Sequence, residues 1–246
     1  MAGTGLKRMD NAAKRYLVII PAFNEEKAIA GVIEDVRKNA SYADILIIND
    51  GSTDLTSSSA RGMDVMVIDL PFNLGYGAAL QTGFRFAVIY GYDYAATVDA
   101  DGQHIPSYIA NLVSVMQKES ADVVIGSRFI EKGYRVGIFR KTGIWLFSKI
   151  ARIYTGCNFT DPTSGFQLIN RDVFTYLSEG DNYPLDYPDV NIILALHKKR
   201  FRIAEAPVVM VGKSDKKSMH SGLRPLLYII KMSLAIIMVL LRKEGK

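Results

Sequence analysis

Residues 44–54 read "DILIINDGSTD", an apolar run that ends in a polar turn containing glycine. A short apolar run bounded by turn residues predicts a buried β-strand, and Gly51 permits the tight turn after it. Asp50 closes the strand, where its carboxylate can accept hydrogen bonds from ribose hydroxyls or from a base. Residues 52–54 also suit the capping of a helix, but a cap does not require Asp50.

The same pattern recurs along the chain and predicts the fold class. Strands are predicted at residues 16–20, 44–50, 64–70, 94–100 and 121–127, and helices from Asn24, over 75–90 and near 106–118. Strands that alternate with helices indicate an open, mostly parallel α/β sheet, and continuous apolar strands indicate helices on both faces. Since ligands bind beyond the carboxyl ends of such strands, the polar clusters that follow them are expected to converge on one edge.

Composition narrows the class of protein. The chain has 246 residues, 49% of them hydrophobic and 22% charged, which suits one large domain or two small ones and excludes a disordered chain. A net charge of +5 suits anionic partners such as phosphate esters, acidic lipids or nucleic acid. The single cysteine, Cys157, fits a reducing compartment, and the polar, basic residues 1–15 lack the apolar run of a signal peptide.

Residues 97–104, "TVDADGQH", place two carboxylates directly after a predicted strand. Asp99 and Asp101 lie two residues apart and point the same way in an extended segment, where they repel each other unless a cation is bound. Mg²⁺ commonly takes one or two protein carboxylates and completes its shell from water and substrate phosphates. The spacing therefore predicts a divalent cation that carries a nucleoside diphosphate; the alternative is a solvated acidic turn.

The segment 226–241, "LLYIIKMSLAIIMVLL", is apolar except for Lys231 and Ser233 and has basic flanks. A helix of this length spans about 24 Å, short of the roughly 30 Å hydrocarbon core of a bilayer. It is either a core or oligomer helix or an interfacial membrane helix with cationic ends. We favour the membrane helix, because an amphipathic core helix has a clearer polar face.

Six stretches, in this order and at the usual separations, resemble the family 2 glycosyltransferases: "VIIPAFNEE", "INDGSTD", "NLGYGAALQTGF", "VDADGQH", "GSRF" and "DPTSGFQLINRDVF". They cover about residues 16–212 and are most similar to the polyprenyl- or dolichyl-phosphate sugar synthases. The resemblance implies the nucleotide-diphosphosugar transferase fold of the GT-A type, here followed by an apolar C-terminal helix. A nucleotidyltransferase would instead begin with a glycine-rich loop bearing arginine or lysine, which "PAFNEE" is not.

The resemblance also implies roles on the donor side. The implied donor-binding residues are Pro21, Ala22, Glu25, Asp50, Asp99, Asp161, Lys213 and Lys217. The first four would line the nucleoside pocket, and Asp161, with the "SGF" turn, would shape the sugar site. Asp99 and Asp101 would hold Mg²⁺ or Mn²⁺, with Gln103 as a third ligand. The two lysines, with His220, would close over the donor phosphates. Many relatives have an acid where this chain has Asn49, which leaves Asp50 as the one carboxylate before that turn.

On the acceptor side, Arg128 and Arg140 are implied to meet a phosphate. Asp189, in "YPDVN", is either a general base, since family members often place an acid there, or a helix N-terminal charge after Pro188. Several relatives carry a pair of long transmembrane helices after the catalytic domain, whereas this chain has one short apolar segment. The mode of membrane attachment is therefore left open.

The predicted organisation is a polar extension (1–15), a catalytic domain (16–212), a basic loop (213–222) and an apolar helix that binds a membrane or an oligomer partner (223–246). The predicted activity is inverting, metal-dependent transfer of a hexose from a nucleotide sugar to a polyprenyl phosphate. We expect action at the cytoplasmic face of the membrane, peripherally or through a C-terminal anchor, with a membrane protein or a second copy as partner and no nucleic acid. The alternatives are transfer to a sugar hydroxyl and a catalytically silent, nucleotide-binding membrane partner.

Overall fold

The computed structural model describes residues 14–130, 138–184, 188–211 and 224–241. Within these ranges, seven strands form one mixed sheet: β1 (Tyr16–Ala22), β2 (Ala43–Asn49), β3 (Met66–Asp69), β4 (Tyr94–Thr97), β5 (Val123–Ser127), β6 (Gln167–Asn170) and β7 (Ile203–Pro207). The helices are α1 (Ile29–Asn39), α2 (Thr56–Arg61), α3 (Tyr76–Ile89), α4 (Ile109–Glu119), α5 (Ile138–Thr155), α6 (Arg171–Ser178), α7 (Val190–Lys198) and α8 (Arg224–Leu241), with a 3₁₀ turn at Pro106–Tyr108.

The sheet has the strand order β3-β2-β1-β4-β6-β5-β7. Strand β6 is antiparallel to both of its neighbours, and every other pairing is parallel. The predicted α/β fold with a mostly parallel sheet is therefore confirmed. The five predicted strands are present, whereas β6 and β7 had not been predicted.

Alternate residues of the central strands bury opposite faces of the sheet. Leu17 and Ile19 of β1 join one core with residues of α3, α5, α6, α7 and α8. Val18 and Ile20 join the other core with residues of α1, α2 and α4. Full burial of one such side chain contributes about 1.5–3 kcal/mol, so both layers stabilise the sheet. Because both faces are covered, the strands read as continuous apolar runs.

Helix α1 begins at Ile29, later than the predicted start at Asn24. Asn24 has a φ of 55°, a left-handed conformation that an α-helix cannot contain. The carbonyl of Glu25 then accepts hydrogen bonds from the backbone N–H groups of Ala28 and Ile29, which forms a turn that leads into the helix. The polar residues before α1 therefore belong to a loop at the sheet edge.

The C-terminal helix α8 packs on the domain through one side. Met232 and Ile236 are buried in the core that α8 shares with α7, whereas Leu234, Ile237 and Met238 are exposed. Among the helices of the described residues, none combines the length and apolar content needed to cross a membrane. The predicted basic loop, 213–222, lies outside the described residues.

Candidate active site

The loops that follow β1 and β2 interlock at the carboxyl edge of the sheet. The backbone N–H of Asp50 donates to the carbonyl of Ala22 at 2.9 Å, which joins the ends of the two strands. The backbone N–H of Thr53 donates to Asn24 Oδ1, also at 2.9 Å. The structure thus brings together four residues predicted to line a nucleoside pocket: Pro21, Ala22, Glu25 and Asp50.

Asp50 is buried and holds a third loop. Its Oδ1 accepts the backbone N–H of Leu74 at 2.7 Å, and its Oδ2 accepts that of Gly75 at 3.0 Å. Gly51 next to it has a φ of 65°, and a Cβ there would lie 2.5 Å from the backbone carbon of Phe72. Asp50 therefore fixes the loop between β3 and α3, a role that the sequence had not indicated. Its contact with ribose or base stays a prediction.

Asp99 follows β4 and is contacted on both carboxylate oxygens. The hydroxyl of Tyr76, at the start of α3, donates to Asp99 Oδ1 at 3.1 Å. His104 Nε2 lies 3.5 Å from Asp99 Oδ2. Burial of its hydroxyl, followed by the negative charge of Asp99, raises the pKa of Tyr76 well above its usual value. Tyr76 therefore remains a hydrogen-bond donor at every physiological pH.

Asp101 and Gln103 form the second part of the predicted metal motif. Asp101 Oδ1 accepts the backbone N–H of Gln103 at 3.0 Å, and the Gln103 side-chain amide bonds to Asp101 Oδ2. Two carboxylates and an amide oxygen at a half-exposed strand end are the hard oxygen ligands that Mg²⁺ and Mn²⁺ prefer. Within the described ranges, however, no three His, Cys, Asp or Glu side chains are grouped for metal binding. The residues present therefore suit an ion that takes its remaining ligands from substrate and water.

Asp189 lies at the N-terminal end of α7 and reaches the same site. Its negative charge, together with that of Asp99, acts on the hydroxyls of Tyr76 and Tyr183. Burial and then these two charges raise the pKa of Tyr183 well above its usual value. Asp189 makes no side-chain cap to α7. Asp189 thus lies at the N-terminal end of a helix, and its role as a general base stays a prediction.

Arg128 and Asp161, predicted for the acceptor phosphate and the sugar site, contact each other. Arg128 Nε and Nη2 donate to the two oxygens of Asp161 at 2.5 and 2.7 Å. The side chains are 5% and 0% exposed. This buried bidentate pair joins the end of β5 to the loop before β6. An acceptor phosphate that contacts Arg128 must therefore either share its guanidinium with Asp161 or displace Asp161 from it.

Glu205 of β7 holds the backbone next to this pair, at Thr160 and Asp161. Its carboxylate accepts the backbone N–H groups of Thr160 and Asp161, each at 2.8 Å, and the Thr160 hydroxyl at 2.8 Å. Burial raises the pKa of Glu205 and outweighs these donors. Sequence reasoning had not singled out Glu205, because the alternation of "IAEAP" places it on the less buried face of β7, where an acid is expected to face water.

Other predicted residues lie outside the described part of the structure, namely the side chain of Arg140 in α5, and Lys213, Lys217 and His220. The segment that leads toward the basic loop is placed, because the backbone N–H of Val211 donates to the carbonyl of Gln103 at 3.0 Å. Val211 is the last described residue before the predicted basic loop. Tyr76 and Tyr183 were not predicted, since their contacts come from parts of the chain that are distant in sequence rather than from local spacing.

Comparison with known proteins identifies a family. The family model described as glycosyl transferase family 2 matches residues 17–177. The chain is 30% identical over 219 residues to the undecaprenyl-phosphate mannosyltransferase of Micrococcus luteus, covering 85% of this chain and 88% of that protein. It is also 30% identical over 216 residues to the UDP-N-acetylglucosamine–dolichyl-phosphate N-acetylglucosaminyltransferase of Methanococcus voltae, covering 80% and 86%.

A solved structure shows the same fold. Glucosyl-3-phosphoglycerate synthase from Mycobacterium tuberculosis, in complex with Mn²⁺ and UDP-glucose, superposes with a TM-score of 0.68 at 20% identity. The match covers 92% of this chain and 80% of that one. At such identity the likeness establishes the GT-A fold alone.

Proposed function

Because the chain belongs to glycosyltransferase family 2, we propose that it transfers a hexose from a UDP- or GDP-sugar to a polyprenyl or dolichyl phosphate, with inversion at the sugar carbon. The observation that carries this proposal is the placement of Asp99 just beyond the end of β4, where Tyr76 donates to its carboxylate and where its charge and that of Asp189 both act on the hydroxyl of Tyr183. The names of the relatives from Micrococcus luteus and Methanococcus voltae support a lipid phosphate as acceptor.

On the donor side, Asp99, Asp101 and Gln103 would hold Mg²⁺ or Mn²⁺, which when bound neutralises the departing diphosphate. The interlocked loops that carry Pro21, Ala22, Glu25 and Asp50 would receive the nucleoside. Lys213 and Lys217 would add positive charge beside the phosphates, where preorganised charge has its largest effect on the barrier. Tyr76 would hold Asp99 still while the donor binds.

A phosphate acceptor simplifies the chemistry. The second pKa of a phosphate monoester is about 6, so the nucleophile is already ionised near neutral pH and needs no strong base. Arginines that orient the phosphate are then sufficient. In our proposal Arg140 and Arg128 take this role, with Asp161 as the internal partner of Arg128.

The placement of Asp189 supports a second candidate, transfer to a sugar hydroxyl. A hydroxyl must lose its proton during attack, so such a reaction requires a general base. The charges of Asp189 and Asp99 both act on the Tyr183 hydroxyl, and we assign the general-base role to Asp189.

For localisation, we propose the cytoplasmic face of the membrane, with peripheral or C-terminal attachment. The exposed apolar residues of α8, Leu234, Ile237 and Met238, support attachment at the interface. Trp145, exposed on α5, adds an aromatic ring of the kind that favours the interface.

The test is to incubate the protein with labelled UDP- and GDP-sugars, Mg²⁺ or Mn²⁺, and polyprenyl phosphate, and then to extract lipid-linked product. We expect product with one donor. Asp101→Asn should lower the rate at least about 100-fold, since even outer-shell changes at metal sites cost about 10–100-fold. Asp35→Asn, on the exposed face of α1, is the matched control and should leave the rate unchanged.

Each alternative has its own outcome. No lipid-linked product with any donor, beside an active control enzyme, would refute the lipid acceptor. An unimpaired Asp101→Asn variant would remove the metal role. Glycosylation of a soluble oligosaccharide that is lost in Asp189→Asn would establish the second candidate. A metal-dependent melting shift with nucleotide, without any donor hydrolysis, would indicate a catalytically silent partner.

A further inference from the structure

His104 lies behind Asp99 and is held rigidly. Its surface is 5% exposed, and its ring stacks on Phe166 with centroids 5.0 Å apart and planes 16° apart. Its backbone forms an antiparallel bridge with Met210. The stack joins the "DADGQH" turn to the "SGF" turn before β6. The position of the imidazole is therefore fixed by both its ring and its backbone.

The contacts of His104 define which nitrogen carries the proton. The backbone N–H of Asp99 donates to His104 Nδ1 at 2.9 Å. A nitrogen that accepts a hydrogen bond has a free lone pair, so the proton of the neutral ring is on Nε2. Nε2 is the atom that lies 3.5 Å from Asp99 Oδ2. One ring thus contacts both the backbone and the carboxylate of the same residue.

The Asp99 carboxylate is consequently held from two directions. Tyr76 donates to Oδ1, and Nε2 of His104 lies 3.5 Å from Oδ2. The Asp99 side chain is still 34% exposed, and each carboxylate oxygen can accept a second hydrogen bond. Its remaining acceptor sites are therefore available to a ligand at the sheet edge.

We infer that His104 is a positioning residue that orients the Asp99 carboxylate for the ribose and diphosphate of a nucleotide sugar. The inference rests on the proposed function insofar as Asp99 is taken to bind the donor. If His104 had a structural role alone, its contributions would be the stack on Phe166 and the hydrogen bond that it accepts from the Asp99 backbone N–H. The positioning role adds the contact between Nε2–H and Oδ2, and substitutions can separate the two.

Two variants divide the contacts of the ring. In His104→Asn, the side-chain Oδ1 takes the place of Nδ1 and can still accept the Asp99 N–H, but nothing reaches Oδ2. In His104→Gln, the terminal amide takes the place of Nε2 and can still face Oδ2, but the Asp99 N–H loses its acceptor. His104→Phe keeps the stack on Phe166 and removes both contacts. His197→Asn, on partly exposed α7, is the matched control.

The measurements are the melting temperature and the affinity for UDP and for GDP with Mn²⁺, by calorimetry. The melting temperature should depend on whether the side chain at position 104 accepts the Asp99 N–H. The Asn variant should therefore melt at a higher temperature than the Gln variant. Nucleotide affinity should depend on whether that side chain presents an N–H group to Asp99 Oδ2. The affinity of the Asn variant should therefore fall about 10–100-fold, while the Gln variant keeps more of its affinity. The Phe variant should lose both stability and nucleotide affinity, and His197→Asn should change neither. The reversed order of stability and affinity is a result that packing alone does not produce.

Several outcomes would overturn the inference. They are an Asn variant with wild-type affinity, affinities that simply track melting temperatures across the set, and a wild-type protein that binds neither nucleotide. Nitrogen NMR of the three histidines, with His104 assigned from the Asn variant, must also show the Nε2–H form. If the wild type binds nucleotide but transfers no sugar to any acceptor, the proposed function fails while the binding data still decide the role of His104.

Discussion

Replacing Arg128 with methionine is expected to destabilise the protein far more than the same replacement at Arg61. Both arginines donate to an aspartate at close range, Arg128 to Asp161 and Arg61 to Asp69. The environments differ, because the Arg128 pair is 5% and 0% exposed whereas the Arg61 pair is 55% and 42% exposed. Both substitutions therefore remove an arginine–aspartate pair, with two hydrogen bonds at Arg128 and one at Arg61, and the pairs differ in solvent exposure.

The magnitude follows from what each substitution leaves behind. Arg128→Met leaves the Asp161 carboxylate buried without its counter-charge, and breaking a buried pair in this way costs about 3–5 kcal/mol. Arg61→Met leaves Asp69 in contact with water, and exposed pairs contribute about 0–1 kcal/mol. If the slope of unfolding free energy against urea is about 3 kcal/mol/M, the midpoints should shift by about 1–1.7 M and by less than about 0.3 M.

Urea denaturation followed by circular dichroism measures both shifts. The double variant Arg128→Met with Asp161→Leu should recover part of the loss, because no buried charge then remains. A shift for Arg128→Met as small as that for Arg61→Met would refute the reasoning, since it would mean that water or another group screens Asp161. A double variant less stable than the sum of the single changes would contradict it as well.

Two further predictions concern the residues around this pair and around Asp99. Because burial raises the pKa of Glu205 above its ordinary 4.5, its contribution to stability is complete below that value and is lost as pH rises through the folded-state pKa. Glu205→Gln should therefore gain stability relative to wild type in urea titrations from about pH 4.5 upward, and a constant difference would contradict this. A Cβ at Gly165 would lie 2.7 Å from the Tyr76 hydroxyl. Gly165→Ala should thus lower both the melting temperature and turnover. Adding Tyr76→Phe removes the hydroxyl and should restore the melting temperature but not turnover, because Asp99 then lacks this donor. Full turnover in the single variant would be the contrary result.

The first half of the fold could be predicted from the sequence because its strands are apolar runs closed by turns. The second half lacked that signal. Strand β6 is only four residues long, "QLIN", and has polar residues at both ends. Strand β7 alternates within "IAEAP", and its charged residue serves a contact that only the folded chain reveals.

The site divides in the same way. Asp99 and Asp101 could be placed from spacing alone, because the end of a strand fixes where they lie. Arg128 and Asp161 were each predicted, but not their contact, because they are 33 positions apart in the chain and meet only through the sheet. The same holds for Tyr76 on Asp99, which depends on where α3 begins.

The antiparallel direction of β6 explains why one motif escaped the rule that polar clusters follow strands. Thr97, at the end of β4, pairs with Gln167, at the start of β6. The edge where β4 ends is therefore the edge where β6 begins, so the loop that precedes β6 reaches the site. That loop carries Asp161, which accepts hydrogen bonds from Arg128, and Gly165, where an added Cβ would lie 2.7 Å from the Tyr76 hydroxyl. A single reversed strand thus adds the loop that precedes it to a site that parallel strands alone would build from the loops that follow them.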